Sequence, residues 1–208
     1  MKKVALSIHA NNNFSINNIK HLKGLDYIHV DVMDGKFVES KNLNLEVFQI
    51  IKNHINLPII AHMMVQYPSK YINNVINFVD FYLFHFEVKE DKLEIIKKVK
   101  TFHKKVGIVL NPETHISDIE FLLKDIDIVL ILGVKPGWSG QQLIPETIKK
   151  LNNLAKYKGL YNFLIDIDGG VTLQNAPEMI NTDILTSSSF ILNAKDPNYV
   201  IKKLKEIN

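Results

Sequence analysis

The sequence predicts an α/β protein whose parallel strands close into a (β/α)8 barrel. Three observations lead there: eight short apolar runs, helical spacing between them, and a length of 208 residues that allots 26 to each unit. Strands that alternate with helices pair in parallel, because each helix carries the chain back to the starting end of the sheet. An open doubly wound sheet is the alternative.

The runs, in order, are "VALSI" (4–8), "YIHVDVM" (27–33), "LPIIAHM" (57–63), "FYLFHFEV" (81–88), "KVGIVL" (105–110), "IDIVLIL" (126–132), "FLIDI" (163–167) and "DILTSS" (183–188). Helix starts are expected where Ser15 precedes "INNIKHLK", Ser69 precedes "KYINNVINF", Ser117 precedes "DIEFLLK" and Pro145-Glu146 opens "TIKKLNNLAKYK". The whole chain, 1–208, is read as one domain.

A hydrophobic fraction of 46% with 23% charged residues fits a soluble globular chain. With no cysteine, disulfides and thiolate chemistry are excluded. The apolar stretch Val4–Ile8 after two lysines is too short for a signal peptide or a membrane span, so the expected location is the cytoplasm, away from membranes. All 25 basic side chains are lysine, and the net charge of +3 is spread along the chain. Runs such as "KKVK" (97–100) read as a solvated helix face, and no nucleic-acid partner is expected. An anionic ligand must then be held by lysine, hydroxyls, backbone N–H groups or a metal, since no guanidinium is available.

The second run poses the chemical question. Strand side chains alternate, so Ile28, Val30 and Val32 form one apolar face while His29, Asp31 and Met33 share the other. A buried carboxylate without a partner costs several kcal/mol. A lone strand histidine is most often a hydrogen-bonded core residue, and an Asp before Gly is most often a turn. Convergence changes that reading. In a barrel, the C-terminal strand ends meet at one mouth, where His62 of the third run and Asp168, directly after the seventh, join His29 and Asp31. Two imidazoles and two carboxylates suit a divalent metal such as zinc, iron or manganese, with Met33 and Met64 as an apolar wall. Three loops at the same ends, "KPGWSGQ", "DGGVT" and "TSSSF", offer glycine N–H groups and hydroxyls to a phosphate.

Taken together, "HVDVMDGKFV", "AHMMV", "LNPET", "KPGWSGQQLIP" and "IDGGVT", in this order and spacing, resemble the ribulose-phosphate 3-epimerase family over nearly the whole chain. The resemblance implies a TIM barrel of the ribulose-phosphate binding type. It implies an isomerase of the pentose phosphate pathway that uses one divalent metal ion (Zn, Fe, Mn or Co) to interconvert D-ribulose 5-phosphate and D-xylulose 5-phosphate. By the same resemblance the metal ligands fall on His29, Asp31, His62 and Asp168, and the acid/base pair on Asp31 and Asp168. Substrate contacts fall on Ser7, His62, Gly137, Trp138, Ser139, Gly140, Gly169, Gly170, Ser187 and Ser188. The phosphosugar is the expected partner, and the reading leaves room for a homo-oligomer.

The chain departs from the family pattern at Leu6, where Pro is usual, in "IHANNNF", at Glu39-Ser40, at Leu132 and at Ser187. Rival readings are a 3-epimerase for a six-carbon ketose phosphate such as D-allulose 6-phosphate, and a non-catalytic phosphosugar-binding relative. A related metal-dependent decarboxylase or aldolase places a lysine between two aspartates, whereas Asp31-Val32-Met33-Asp34 has none.

Overall fold

The computed structural model describes residues 1–207; residue 208, the last of the expected domain span, lies outside the described residues. Each apolar run forms a strand: β1 (Lys3–His9), β2 (Tyr27–Asp34), β4 (Ile59–Met64), β5 (Phe81–His85), β6 (Lys105–Leu110), β7 (Ile128–Leu132), β8 (Leu164–Asp168) and β9 (Ile184–Ser187). A two-residue strand, β3 (Lys41–Asn42), pairs antiparallel with the end of β2. The others run in the order β1-β9-β8-β7-β6-β5-β4-β2, and parallel pairing of β1 with β2 closes the ring. This is the expected (β/α)8 barrel.

Among the described residues, six α-helices lie between or after the strands: α1 (Glu46–His54), α2 (Ile72–Val75), α3 (Lys92–Lys100), α4 (Glu146–Ala155), α5 (Ser189–Leu192) and α6 (Pro197–Lys205). In α3, Asp91 accepts the N–H groups of Leu93 and Glu94, Ile95, Ile96 and Val99 are buried, and the last turn carries Lys97, Lys98 and Lys100. The "KKVK" run is thus a solvated helix face. Pro145 and Glu146 open α4 as expected.

The other expected starts yield less helix. After Ser15 only a 3-10 turn forms, over Ile16–Asn18, and the Ser15 side chain caps nothing. Asn17 and Asn18 favour turns by competing for backbone groups. The Ser69 hydroxyl is taken by Glu90, and Pro68 opens a 3-10 turn ahead of the four-residue α2. The segment expected from Ser117 is a 3-10 helix, Ile116–Leu122, capped two residues earlier at His115, whose N–H reaches Asp118 Oδ2 at 3.3 Å. Among the described residues no helix is long and apolar enough to cross a membrane.

Period-two alternation sorts the side chains into two cores. Ala5, Ile60, Leu83, Val109, Leu130 and Ile184 fill the barrel interior, while Val30, Val32, Ala61, Met63 and Ile108 face outward into the layer beneath the helices.

At the N-terminal rim, four aspartates repeat one arrangement. Asp26, Asp80, Asp127 and Asp183 each stand immediately before a strand and bind the preceding one. The Asp26 carboxylate accepts the N–H of Val4 (2.9 Å) and its own N–H donates to the Val4 carbonyl (2.8 Å). Asp80 holds Ile59 in the same two-way manner, Asp127 holds Val106 and Asp183 holds Ile165. Each clamp satisfies a strand-end N–H that the ladder leaves open.

Candidate active site

Strand register assembles the opposite rim. Ser7 stands beside His29, Asp31 beside His62, Met33 beside Met64, and Leu132 beside Asp168. His29 and His62 are fully buried, and Asp31 and Asp168 nearly so. His62 Nδ1 lies 2.8 Å from Asp31 Oδ1, and His29 Nε2 lies 3.2 Å from both. Asp168 Oδ2 is 3.6 Å from His29 Nε2. One donor atom from each of the four falls within 4.8 Å of the others. Ser7 Oγ donates to the other Asp31 oxygen at 2.8 Å.

The donor set fits a divalent cation. Imidazole and carboxylate lone pairs this close repel unless positive charge lies between them. The electrostatics carry the same demand. Burial works to lower the pKa of His29, but its hydrogen bond to Asp31 and the charges of Asp168 and Asp31 outweigh that and raise it to about 9. Burial would raise Asp31, yet its hydrogen bond with His29 outweighs that and holds it well below the usual carboxylate range. Burial, aided by the charge of Asp31, raises Asp168. His62 is lowered to about 4 by burial, with His85 and His29 adding to the effect against Asp31.

Above this cluster opens a cavity of about 860 Å³. Asp31, Asp168 and all the expected substrate-side residues line it, from Ser7 through the 137–140 loop and Gly169-Gly170 to Ser187 and Ser188, while His29 lies beneath its floor. Trp138 stands half exposed at the rim. Gly169 and Gly170 have φ of +98° and +72°, and a Cβ on Gly170 would come within 2.5 Å of the Leu143 backbone. Only glycine lets the chain turn here close against the neighbouring loop. The Ser187 hydroxyl donates to the Val171 carbonyl at 3.2 Å.

Several residues at this end were not among the expected site residues. His85, on the inner face of β5, places Nε2 2.9 Å from His62 Nε2, and its Nδ1 lies 3.2 Å from Glu87. Burial opposes ionisation of Glu87, but hydrogen bonds from His85, Thr114 and the Asn111 N–H lower it to about 2. Asp166 is wholly buried one layer below Asp168; Thr186 donates to one of its oxygens, and the other has no partner among the described residues. Burial, with the Asp168 charge, pushes Asp166 up to about 8. His9 faces Asp31 at 3.9 Å across the cavity. His85 and Glu87 are legible in "FYLFHFEV" once alternation is carried to its end.

Comparison with known proteins agrees with this geometry. Residues 3–192 match the model of the ribulose-phosphate 3 epimerase family. The ribulose-phosphate 3-epimerase of Methanocaldococcus jannaschii is 33% identical over 187 residues, covering 88% of this chain and 80% of that protein. The one from Bacillus subtilis is 32% identical and covers 91% of each. Among solved structures, KGPDC from Streptococcus mutans has a TM-score of 0.72 at 14% identity, covering 99% of this chain and 96% of that one. The 3-hexulose-6-phosphate synthase from Salmonella typhimurium has a TM-score of 0.69 at 13% identity, covering 99% and 97%. At such identities these two show the barrel alone. The family model and the curated relatives go further: this chain is an enzyme belonging to the ribulose-phosphate 3-epimerase family.

Proposed function

We propose that the protein, acting as a single barrel domain, inverts C3 of a ketose phosphate, interconverting D-ribulose 5-phosphate and D-xylulose 5-phosphate. The observation that carries this reading is the meeting of two carboxylates and two imidazoles within 4.8 Å at the floor of the cavity. A carbon beside a ketone is epimerised by removing its proton on one face and returning one on the other. That requires two acid/base groups flanking the carbon. Asp31 from β2 and Asp168 from β8 fill these roles: one takes the C3 proton, leaving an enediolate, and the other protonates the opposite face.

His29, Asp31, His62 and Asp168 would hold one divalent ion, of zinc, iron, manganese or cobalt. When bound, it would supply positive charge beside the oxygens that become negative as the proton leaves. Ser7 keeps Asp31 oriented through its hydrogen bond. The 137–140 loop, Gly169, Gly170, Ser187 and Ser188 surround the phosphate end with backbone N–H groups and hydroxyls, as a chain without arginine requires.

The test is turnover of D-ribulose 5-phosphate by protein stripped with a chelator, then resupplied with each ion, with D-allulose 6-phosphate in a parallel arm. Activity is expected to vanish on stripping, to return with metal, and to favour the pentulose. Full turnover by metal-free protein would sink the metal assignment. Preference for the six-carbon sugar would sink the substrate assignment.

A further inference from the structure

The metal-side imidazole of His62 is the near end of a chain of hydrogen bonds that leads away from the cavity. Its Nδ1 faces Asp31, and its Nε2 meets His85 Nε2 at 2.9 Å. His85 Nδ1 meets Glu87 Oε2 at 3.2 Å. Glu87 Oε1 accepts the backbone N–H of Asn111 at 2.9 Å and the hydroxyl of Thr114. Asn111 and Thr114 belong to the "LNPET" motif, to which nothing above gives a task. Lys150 of α4 fastens that loop from behind, donating to the carbonyls of Asn111 (2.6 Å) and Pro112 (3.3 Å). Phe37 packs against the His85 ring at 4.5 Å between centroids.

With both imidazoles neutral, donor and acceptor roles along this chain have one consistent assignment. Glu87 accepts at both oxygens, so His85 Nδ1 must be the donor. A neutral His85 then offers a lone pair at Nε2, and His62 Nε2 must donate to it. That leaves His62 Nδ1 without a proton, its lone pair turned toward Asp31 and the centre of the cluster. We propose that Glu87, His85 and the "LNPET" loop are positioning residues that lock His62 in the Nε2–H tautomer and thereby set the affinity of the cluster for its metal. The inference rests on the reading of the cluster as a metal site, and it assigns a task to residues that touch neither metal nor substrate.

Glu87→Gln tests the direction of the chain. In glutamine one oxygen becomes an NH2 group, and the Asn111 N–H still requires an acceptor, so the NH2 is turned toward His85 Nδ1. Nδ1 must then accept, His85 donates from Nε2, and the proton on His62 is driven to Nδ1, where it blocks ligation. Partners of ligating histidines typically change metal affinity by about 10- to 100-fold. The experiment measures Zn2+ binding by titration calorimetry and reads the histidine tautomers from 15N chemical shifts of metal-free protein near neutral pH.

In the wild type, Nε2–H on His62 and Nδ1–H on His85 are expected. In Glu87→Gln, with the fold checked by circular dichroism, Zn2+ binding is expected to weaken by about 10- to 100-fold as the Nε2–H signature of His62 is lost. Thr114→Val, which removes one of the two bonds to Glu87 Oε1, should weaken binding less, and Thr114→Ser should restore it. If Glu87→Gln does not fold, the wild-type tautomers and the Thr114 pair carry the test. A His62 protonated at Nδ1 in the wild type overturns the assignment, as does a folded Glu87→Gln that binds Zn2+ as tightly as wild type. Wild-type protein that takes up no Zn2+ overturns the metal reading, and this inference with it.

Discussion

The two rims of the barrel use the same residue to opposite ends. At the N-terminal rim, the carboxylates of Asp26, Asp80, Asp127 and Asp183 each accept a backbone N–H, and three of them have lysine partners as well, Lys205 at 2.9 Å, Lys158 at 2.7 Å and Lys52 at 3.9 Å. At the C-terminal rim, Asp31 and Asp168 face imidazoles and each other's charge, and no lysine pairs with either among the described residues. A satisfied carboxylate strengthens the fold. Carboxylates left crowded demand something the chain does not supply, and that demand is what makes a site.

Substitutions at the two rims should therefore separate activity from stability. The largest effect is expected for Asp168→Asn, which keeps the shape of the side chain and removes its acid/base capacity. Turnover of D-ribulose 5-phosphate should fall by about 10²- to 10⁴-fold. The melting temperature should not fall, because a buried carboxylate is being neutralised. A large loss of stability with activity retained would erase the contrast between the rims.

Asp183→Ala is the mirror experiment. It leaves the Ile165 N–H without its carboxylate partner, and urea unfolding should show a loss of about 1.5–3 kcal/mol. The kcat of the protein that remains folded should be unchanged. A drop in kcat at full stability would mean that the lower rim takes part in the chemistry.

A pH series sharpens the same comparison at Asp26. Burial works to raise this carboxyl, but the Val4 N–H and Lys205 outweigh it and hold it below its ordinary value of 3.8. Because the folded-state pKa is the lower one, the charge contributes stability above the unfolded value and loses it as pH falls through the folded value. The stability difference between wild type and Asp26→Asn should be constant near neutrality and shrink below about pH 4. A difference that grows on acidification would reverse the sign of the clamp.

The smallest effect is expected for Ser187→Ala. This residue lies on the active rim, yet its hydroxyl already has a partner in the Val171 carbonyl. KM for the phosphosugar should rise by only about 2- to 10-fold, the worth of one neutral hydrogen bond, with kcat less affected. An unchanged KM would mean that the hydroxyl serves its loop alone.

The strands were legible because a strand buried on both faces reads as a continuous apolar run, and period two then brought His29, Asp31, His62 and Asp168 to one mouth. The helices were less so. Ser15 and Ser69 have the chemistry of caps, but asparagines follow the first and Glu90, distant in sequence, claims the second. His85 escapes a reading that stops at motif ends, although it obeys the alternation that finds its neighbours, and Asp166, which alternation places on the face of Asp168, had no partner in the sequence to give it a role. The lower clamps were visible only as a repetition, an Asp before every second strand, whose meaning depends on the partner strand lying alongside.

That repetition bears on how the ring is assembled. The clamped residues are separated by only 18 to 22 positions, and each clamp joins a strand to its predecessor among the barrel strands, so β1 with β2, β4 with β5, β6 with β7 and β8 with β9 form four pairs. Contacts of short sequence separation form early, because little chain entropy is lost in closing them. The expected order of folding is then the joining of four stitched pairs along four unstitched seams, and a circular permutant cut at a seam, which keeps every pair whole, should fold at close to the wild-type rate.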